Sequence, residues 1–417
     1  MKFTFSLLDG GYSILLYVIL IVIFKRRIKG FFDPFNIYLI IYSFSFVGIL
    51  TQPNNSIYYN KIIFCLIALF LGVFIGSLFD KTTSNSLYEN KKLSISYKLQ
   101  LTLSISIFIV IILNFVVNFL MTGNIPLING GYQNRYQVSD GNRILTWLYY
   151  AVNFSPIALT LSEYHRVKNI AKMSLGIVFL SLILTANKAS FLTIVLLFTN
   201  IIFVYKLFGL KIKRQYFIAL MLVSIFFIII TPFYASYVTG NSSIEALNIL
   251  YNRLFLSFDQ LIMLNSFQYE VSNNHLSMLI WYFAPFLKVV GIKNDFDSAA
   301  DYFVFLLTGL EPGTYNGPVN NLILELIVTH NSILYMVIFV FLYSTIITYF
   351  RFKTMNKIRI NFIDYFFISS IVVKPFQFFV EGYLYFVSLV LGIIFYLIIY
   401  IIYFILYKSY KINEEKK

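Results

Sequence analysis

The sequence predicts an all-helical, polytopic integral membrane protein with about eleven spans. Three observations carry that prediction. Of the 417 residues, 59% are hydrophobic and 12% are charged, where a soluble domain has about 45–50% apolar and about 25% charged residues. So few charges cannot cover a water-facing surface of this size. The apolar residues gather in runs of roughly 20, the length that crosses a bilayer. The basic residues sit in short bursts between those runs, the pattern that orients membrane helices. The composition argues against a cytosolic enzyme, a disordered chain or a nucleic-acid binder, even at a net charge of +14.

Taken in chain order, the runs place helices at 7–24, 35–51, 61–79, 99–121, 144–161, 170–186, 189–205, 216–232, 332–350, 362–380 and 383–406. The first follows a single basic residue, Lys2, with no small-residue cleavage pattern, so it reads as a retained helix. The stretch 170–205 is too long for one span and short for two. Basic residues on both flanks require an even number of crossings, and a tight hairpin at Ala186-Asn187-Lys188 satisfies both constraints.

Alternate connections hold most of the 32 Lys and Arg. They are the bursts at Lys25–Lys29, Lys81–Lys98, Arg166–Lys172, Lys206–Arg214, Arg351–Arg359 and Lys408–Lys417. The positive-inside rule makes these cytoplasmic, with the N-terminus outside and the C-terminus inside. The lone Cys65 allows no internal disulfide.

Three parts follow from this layout. Residues 1–232 hold eight helices and a first outside loop, 122–143. Residues 233–331 form a large outside loop. Residues 332–417 hold the last three helices and a cytoplasmic tail. The first loop reads TGNIPLINGGYQNRYQVSDGNR, rich in turn formers. In the large loop, residues 244–269 have apolar positions at helical spacing, and Trp281-Tyr282-Phe283 suggests an interfacial stretch. Every cytoplasmic connection is short, which leaves no room for a catalytic domain there.

Charges outside or within the membrane are the candidates for chemistry. Arg135 and Arg143 are either solvated loop charges or an anion-binding pair, since the planar guanidinium suits phosphate and carboxylate oxygens. Lys188 is either a snorkelling helix-end lysine or a cation held at the headgroups. Arg253 has Asp259 six residues on, a poor spacing for a helical ion pair. It reads as ligand-facing or as one half of a structural salt bridge. His330 is a helix-end polar cap or a base near neutral pH, with Glu325 just upstream. Lys374, Gln377 and Glu381 share one face of the helix expected at 362–380, as a functional lysine or as structural glue. Asp295, Asp297 and Asp301 have the oxygens for a divalent cation, but an acidic polar loop is ordinarily solvated, and no metal or cofactor is assigned. A Gly-rich phosphate loop, HExxH and Cys/His zinc spacing are absent from the sequence.

Together these features resemble the Wzy-type O-antigen and oligosaccharide repeat-unit polymerases. The shared features are the many helices, the short cytoplasmic loops and two arginine-bearing outside loops, the second of them large. Arg135 and Arg143 stand in the first loop and Arg253 in the second. LTANKAS is similar to the family's Gly-x-Arg-Ser segment, with Lys188 in the arginine position. GPVNNLILELIVTHNS is similar to the segment in which a Glu precedes a Phe-Gly pair, with Glu325 matching and His330-Asn331 in place of Phe-Gly. The His-Asn pair also resembles the start of a motif in the related O-antigen ligases.

The resemblance implies an architecture like the GT-C-type membrane glycosyltransferases, in the bacterial inner membrane. It implies transfer of a growing glycan from one undecaprenyl diphosphate to the next lipid-linked unit at the periplasmic face, without a metal. Arg253 and either Arg143 or Arg135 would clamp the diphosphate, with Lys188 assisting and Lys374 and Asp259 lining the substrate. His330 or Glu325 would activate the acceptor hydroxyl. The partners implied are the lipid-linked oligosaccharide, membrane lipid, a chain-length regulator and a flippase; nucleic acid is excluded. The alternatives are an O-antigen ligase-type transferase and a lipid-linked oligosaccharide flippase.

Overall fold

The computed structural model describes residues 7–51, 58–80, 91–121, 125, 143–185, 188–211, 214, 218, 221–222, 283, 287, 291, 305, 322–330, 332–374, 377 and 382–408. Nearly all of the described residues are helical. The elements are α1 (Leu7–Phe24), α2 (Pro34–Leu50), α3 (Tyr59–Leu78), β1 (Lys92–Leu93) and α4 (Tyr97–Phe115). They continue with α5 (Arg143–Val152), α6 (Ser155–Leu159), α7 (His165–Thr185), α8 (Lys188–Leu207), α9 (Leu322–Thr329) and α10 (Ile333–Met355). The last are β2 (Arg359–Ile360), α11 (Phe362–Phe367) and α12 (Gly382–Tyr403).

Five helical stretches are long and apolar enough to cross a membrane: Tyr59–Leu78, Tyr97–Met121, His165–Thr185, Ile333–Met355 and Gly382–Tyr407. Five shorter apolar helices accompany them among the described residues. The chain is a multi-pass helical membrane protein. Its outward faces match: Leu8 is 71% exposed and Val22 68%, side chains that only lipid would solvate well. The helix expected at 216–232 and nearly all of 233–321 lie outside the described residues.

The chain forms two compact units. The first comprises Met1–Lys81, Ile244–Lys353 and Lys374–Val387. Here α1 packs along α2, and α3 packs on α10 through two glycines. A Cβ on Gly72 would lie 2.5 Å from the Phe341 carbonyl oxygen, and one on Gly76 would lie 2.6 Å from that of Thr345. Only glycine permits so close an approach, the device by which membrane helices gain contact without a hydrophobic drive.

One end of this unit holds a group of buried ions. Asp33 caps α2, accepting from Phe35 N–H (2.9 Å) and Lys29 N–H (2.8 Å), and its carboxylate pairs with Arg351. Lys29 pairs with Asp80 at 2.8 Å, and Arg27 Nε donates to the Ser77 carbonyl at 3.1 Å. The sequence reading treats Arg351 as an orienting charge in a connection. Instead it lies inside α10, 1% exposed, because Asp33 offers it a carboxylate there.

The second unit comprises Thr82–Ser243, Thr354–Val373 and Ser388–Lys417. In it, α4 packs against α7, α5 and α6, and β1 pairs in parallel with β2, Lys92 opposite Arg359. Lys91 Nζ donates to the carbonyls of Met355 and Lys357, and Lys357 pairs with Asp364 at 2.5 Å. Tyr365 donates to the Ser155 carbonyl, and Tyr396 donates to Ser155 Oγ at 2.9 Å. These contacts tie α11 and α12 to α6.

Two expectations need correction. The helix expected at 144–161 is broken at Asn153-Phe154. Pro156 lacks the N–H that would bond back one turn, so the helix restarts as α6 with proline in its first turn. The helix expected at 362–380 gives way after α11 to π-type turns at Ile368–Val372 and is interrupted at Val373 and Lys374, while most of 375–380 lies outside the described residues. Lys374 therefore lies outside regular helix, and Glu381 lies outside the described residues. It precedes Pro375, and the residue before a proline is steered away from the α conformation. Within the segment expected as a partly helical outside loop, Leu322–Thr329 is the helix α9. Eight residues are too few to register as a span.

Candidate functional site

Two of the candidates, Glu325 and His330, lie on α9 and just after it in the first unit, where Glu325 meets the start of α12. The run LILELIVT makes α9 apolar on every side. Leu322, Ile323, Leu324 and Leu326 are fully buried, so the helix is seated in protein. Its polar exception, Glu325, is 1% exposed. An ionised carboxylate at such depth needs strong compensation. The compensation comes from α12. Glu325 Oε1 accepts the Tyr383 N–H at 2.9 Å, and a Cβ on Gly382 would lie 2.7 Å from Oε2. The carboxylate thus lies at the N-terminus of a 22-residue helix, where unpaired N–H groups and the helix dipole favour negative charge.

The chain leaves α9 through Thr329, whose hydroxyl donates to the Glu325 carbonyl at 2.7 Å. His330 continues the turn, its N–H donating to the Leu326 carbonyl at 2.9 Å. Its ring lies 4.2 Å from that of Tyr335, in the first turn of α10. The buried Nε2 of His330 finds no hydrogen-bond partner among the described residues. Partial burial holds its pKa below the ordinary histidine value, which leaves the neutral ring as the form present at pH 7. His330 does not cap α10: Ser332 does, its Oγ accepting the Tyr335 N–H at 3.4 Å. A neutral imidazole whose Nε2 makes no hydrogen bond among the described residues can take a proton from a group that reaches it.

Lys374 belongs to the same unit and is 7% exposed, in the connection that leads to α12. Its carbonyl accepts the Gln377 N–H at 3.3 Å. Arg143 is the first residue of α5 and Lys188 the first of α8, with only their backbones described. Arg135, Arg253 and Asp259 lie outside the described residues, as do Glu381, Asp295, Asp297 and Asp301. Among the described residues no group of three or more His, Cys, Asp or Glu is placed to hold a metal ion.

Sequence reasoning missed Gly382 and the N–H of Tyr383. The available signal was Glu325 itself, a single charge in an apolar run, which must find a partner. A partner that is a backbone N–H leaves no mark in the sequence.

A family model described as "Putative O-antigen polymerase" matches residues 30–283, more than half of the chain. The matched region contains Arg135, Arg143, Lys188, Arg253 and Asp259, and ends before Glu325 and His330. No curated protein and no solved structure matches the chain significantly.

Proposed function

The chain belongs to the O-antigen polymerase family, and from that premise we propose that it lengthens a glycan carried on undecaprenyl diphosphate at the periplasmic face of the inner membrane. The family match is the observation that carries this reading. Polymerisation in O-antigen synthesis and a lipid-linked oligosaccharide substrate come with the family. The carrier, the face and the residue roles are our own reading, as are about eleven spans with the N-terminus outside, a GT-C-like architecture and an outside loop over 233–331.

The transfer breaks the bond between the growing glycan's anomeric carbon and its lipid diphosphate. An acceptor hydroxyl on the next lipid-linked unit forms the new bond and gives up a proton. The diphosphate leaves with more negative charge than it had. Arg253, Arg143 and Arg135 would meet that charge, with Lys188 and Lys374 adding to the field and Asp259 orienting the substrate. Guanidinium groups supply the stabilisation that a divalent cation supplies elsewhere, so the reading is metal-independent. His330 takes the proton. A chain-length regulator and a flippase would act before and beside this step.

Purified protein in vesicles, given a lipid-diphosphate-linked repeat unit, should convert it to a ladder of longer glycans. A base with a lowered pKa stays competent as pH falls through histidine's usual range near about 6.5. The rate should therefore stay level through that range and drop only below it. His330→Ala should slow the reaction about 100-fold or more. No growth beyond one repeat would discard the polymerase reading, and an unslowed His330→Ala would discard the base.

A further inference from the structure

We propose that Glu325 is a positioning residue, which pins α9 to the start of α12 and thereby fixes His330. The inference rests on the reading of His330 as the base. A base needs a lone pair that the acceptor hydroxyl can reach, and the buried Glu325 carboxylate is held against the start of α12. Oε1 is engaged by the Tyr383 N–H at 2.9 Å. Oε2 is packed against Gly382, within 2.7 Å of where a Cβ would stand. The same Cβ would lie 3.2 Å from Cα and Cβ of Leu322, so α9 itself rests on the glycine. With the residue 1% exposed, a sugar hydroxyl has no approach to this carboxylate.

What the carboxylate does reach is the backbone of another helix. Glu325 and Tyr383 are 58 positions apart in sequence, and their hydrogen bond ties α9 to α12. His330 hangs from the last turn of α9 through its N–H bond to Leu326 and the Thr329 bond to Glu325's own carbonyl. Rotation or sliding of α9 would carry the imidazole with it. A base displaced by an ångström loses most of its advantage. Gly382 is the second half of the device, since any side chain there would push the carboxylate off its donor.

The two roles differ in what glutamine can replace. Glutamine keeps an oxygen to accept the Tyr383 N–H but cannot take a proton. In the vesicle assay, normalised to folded protein, Glu325→Gln should stay within about threefold of the wild-type rate with the same pH profile. Glu325→Ala and Gly382→Ala should each fall at least about tenfold. Adding Gly382→Ala to Glu325→Ala should lower the rate little further, because the group it collides with is gone. A Glu325→Gln protein as slow as Glu325→Ala, at normal abundance, would overturn the proposal, as would Gly382→Ala at the wild-type rate. The parallel His330→Ala measurement separates the two readings. A full rate there removes the base on which this inference rests. A slow His330→Ala beside a fast Glu325→Ala removes the positioning role alone.

Discussion

Arg253→Ala should abolish polymer while leaving the protein and single-repeat glycan in place. In the proposed reaction the breaking bond leaves its electrons on a lipid diphosphate, and the site must hold charge that is absent from the ground state. A donor aimed at developing charge in a water-poor site contributes on the order of 100- to 1,000-fold in rate. Arg253 is the residue assigned that task in the large outside loop. Its nearest carboxylate in sequence, Asp259, stands six residues away, off the spacing of a helical ion pair. Arg253→Lys tests the geometry as well as the charge. A bidentate clamp on two phosphate oxygens needs the guanidinium fork, which an ammonium lacks, so the lysine variant should also make short chains at best. The glycan ladder on a gel is the readout. Full-length chains from Arg253→Ala would refute the assignment.

The second large effect concerns stability. Asp33 and Arg351 are 0% and 1% exposed and form an ion pair across 318 positions of sequence. Removing one partner leaves a buried charge uncompensated, which costs about 3–5 kcal/mol. Asp33→Ala also removes the cap of α2, about 1 kcal/mol more. Asp33→Ala and Arg351→Ala should each lose most of the membrane-embedded protein and lower its melting temperature in detergent. Replacing the pair with Asp33→Asn and Arg351→Met keeps the cap and removes both charges, so it should recover much of the loss. The coupling in that double-mutant cycle isolates the pair. Single mutants as stable as wild type would show that the pair does not hold this end of the unit together.

The fold was legible where one property decided it. Hydropathy alone separated α1, α2, α3 and α10 from their neighbours, because burial in lipid demands a run of one length and one character. The two-helix reading of 170–205 was legible from charge, and α7 and α8 bear it out. Features set by local backbone chemistry blurred the boundaries. Pro156 splits a span that apolarity reads as continuous, and the span after α11 is interrupted just before Pro375. Features set by distant contacts left almost no trace. Arg351 counts as an orienting charge until Asp33 is found beside it. Helix α9 is too short to register as a span, though its side chains are as buried as any. Glu325 was singled out beside His330 and by its match to the family's segment, with activation of the acceptor hydroxyl as its expected role. The N–H that satisfies it belongs to a residue no pattern connects to it. The arginines remain what the sequence made them, candidates by charge and loop.

The most direct test of polymerisation is the surface glycan of a strain lacking this gene, with and without the wild-type protein restored. A polymerase predicts glycan one repeat long in its absence and the full ladder on restoration. Long chains made without the protein, or lipid-linked units stranded on the cytoplasmic side, would contradict it.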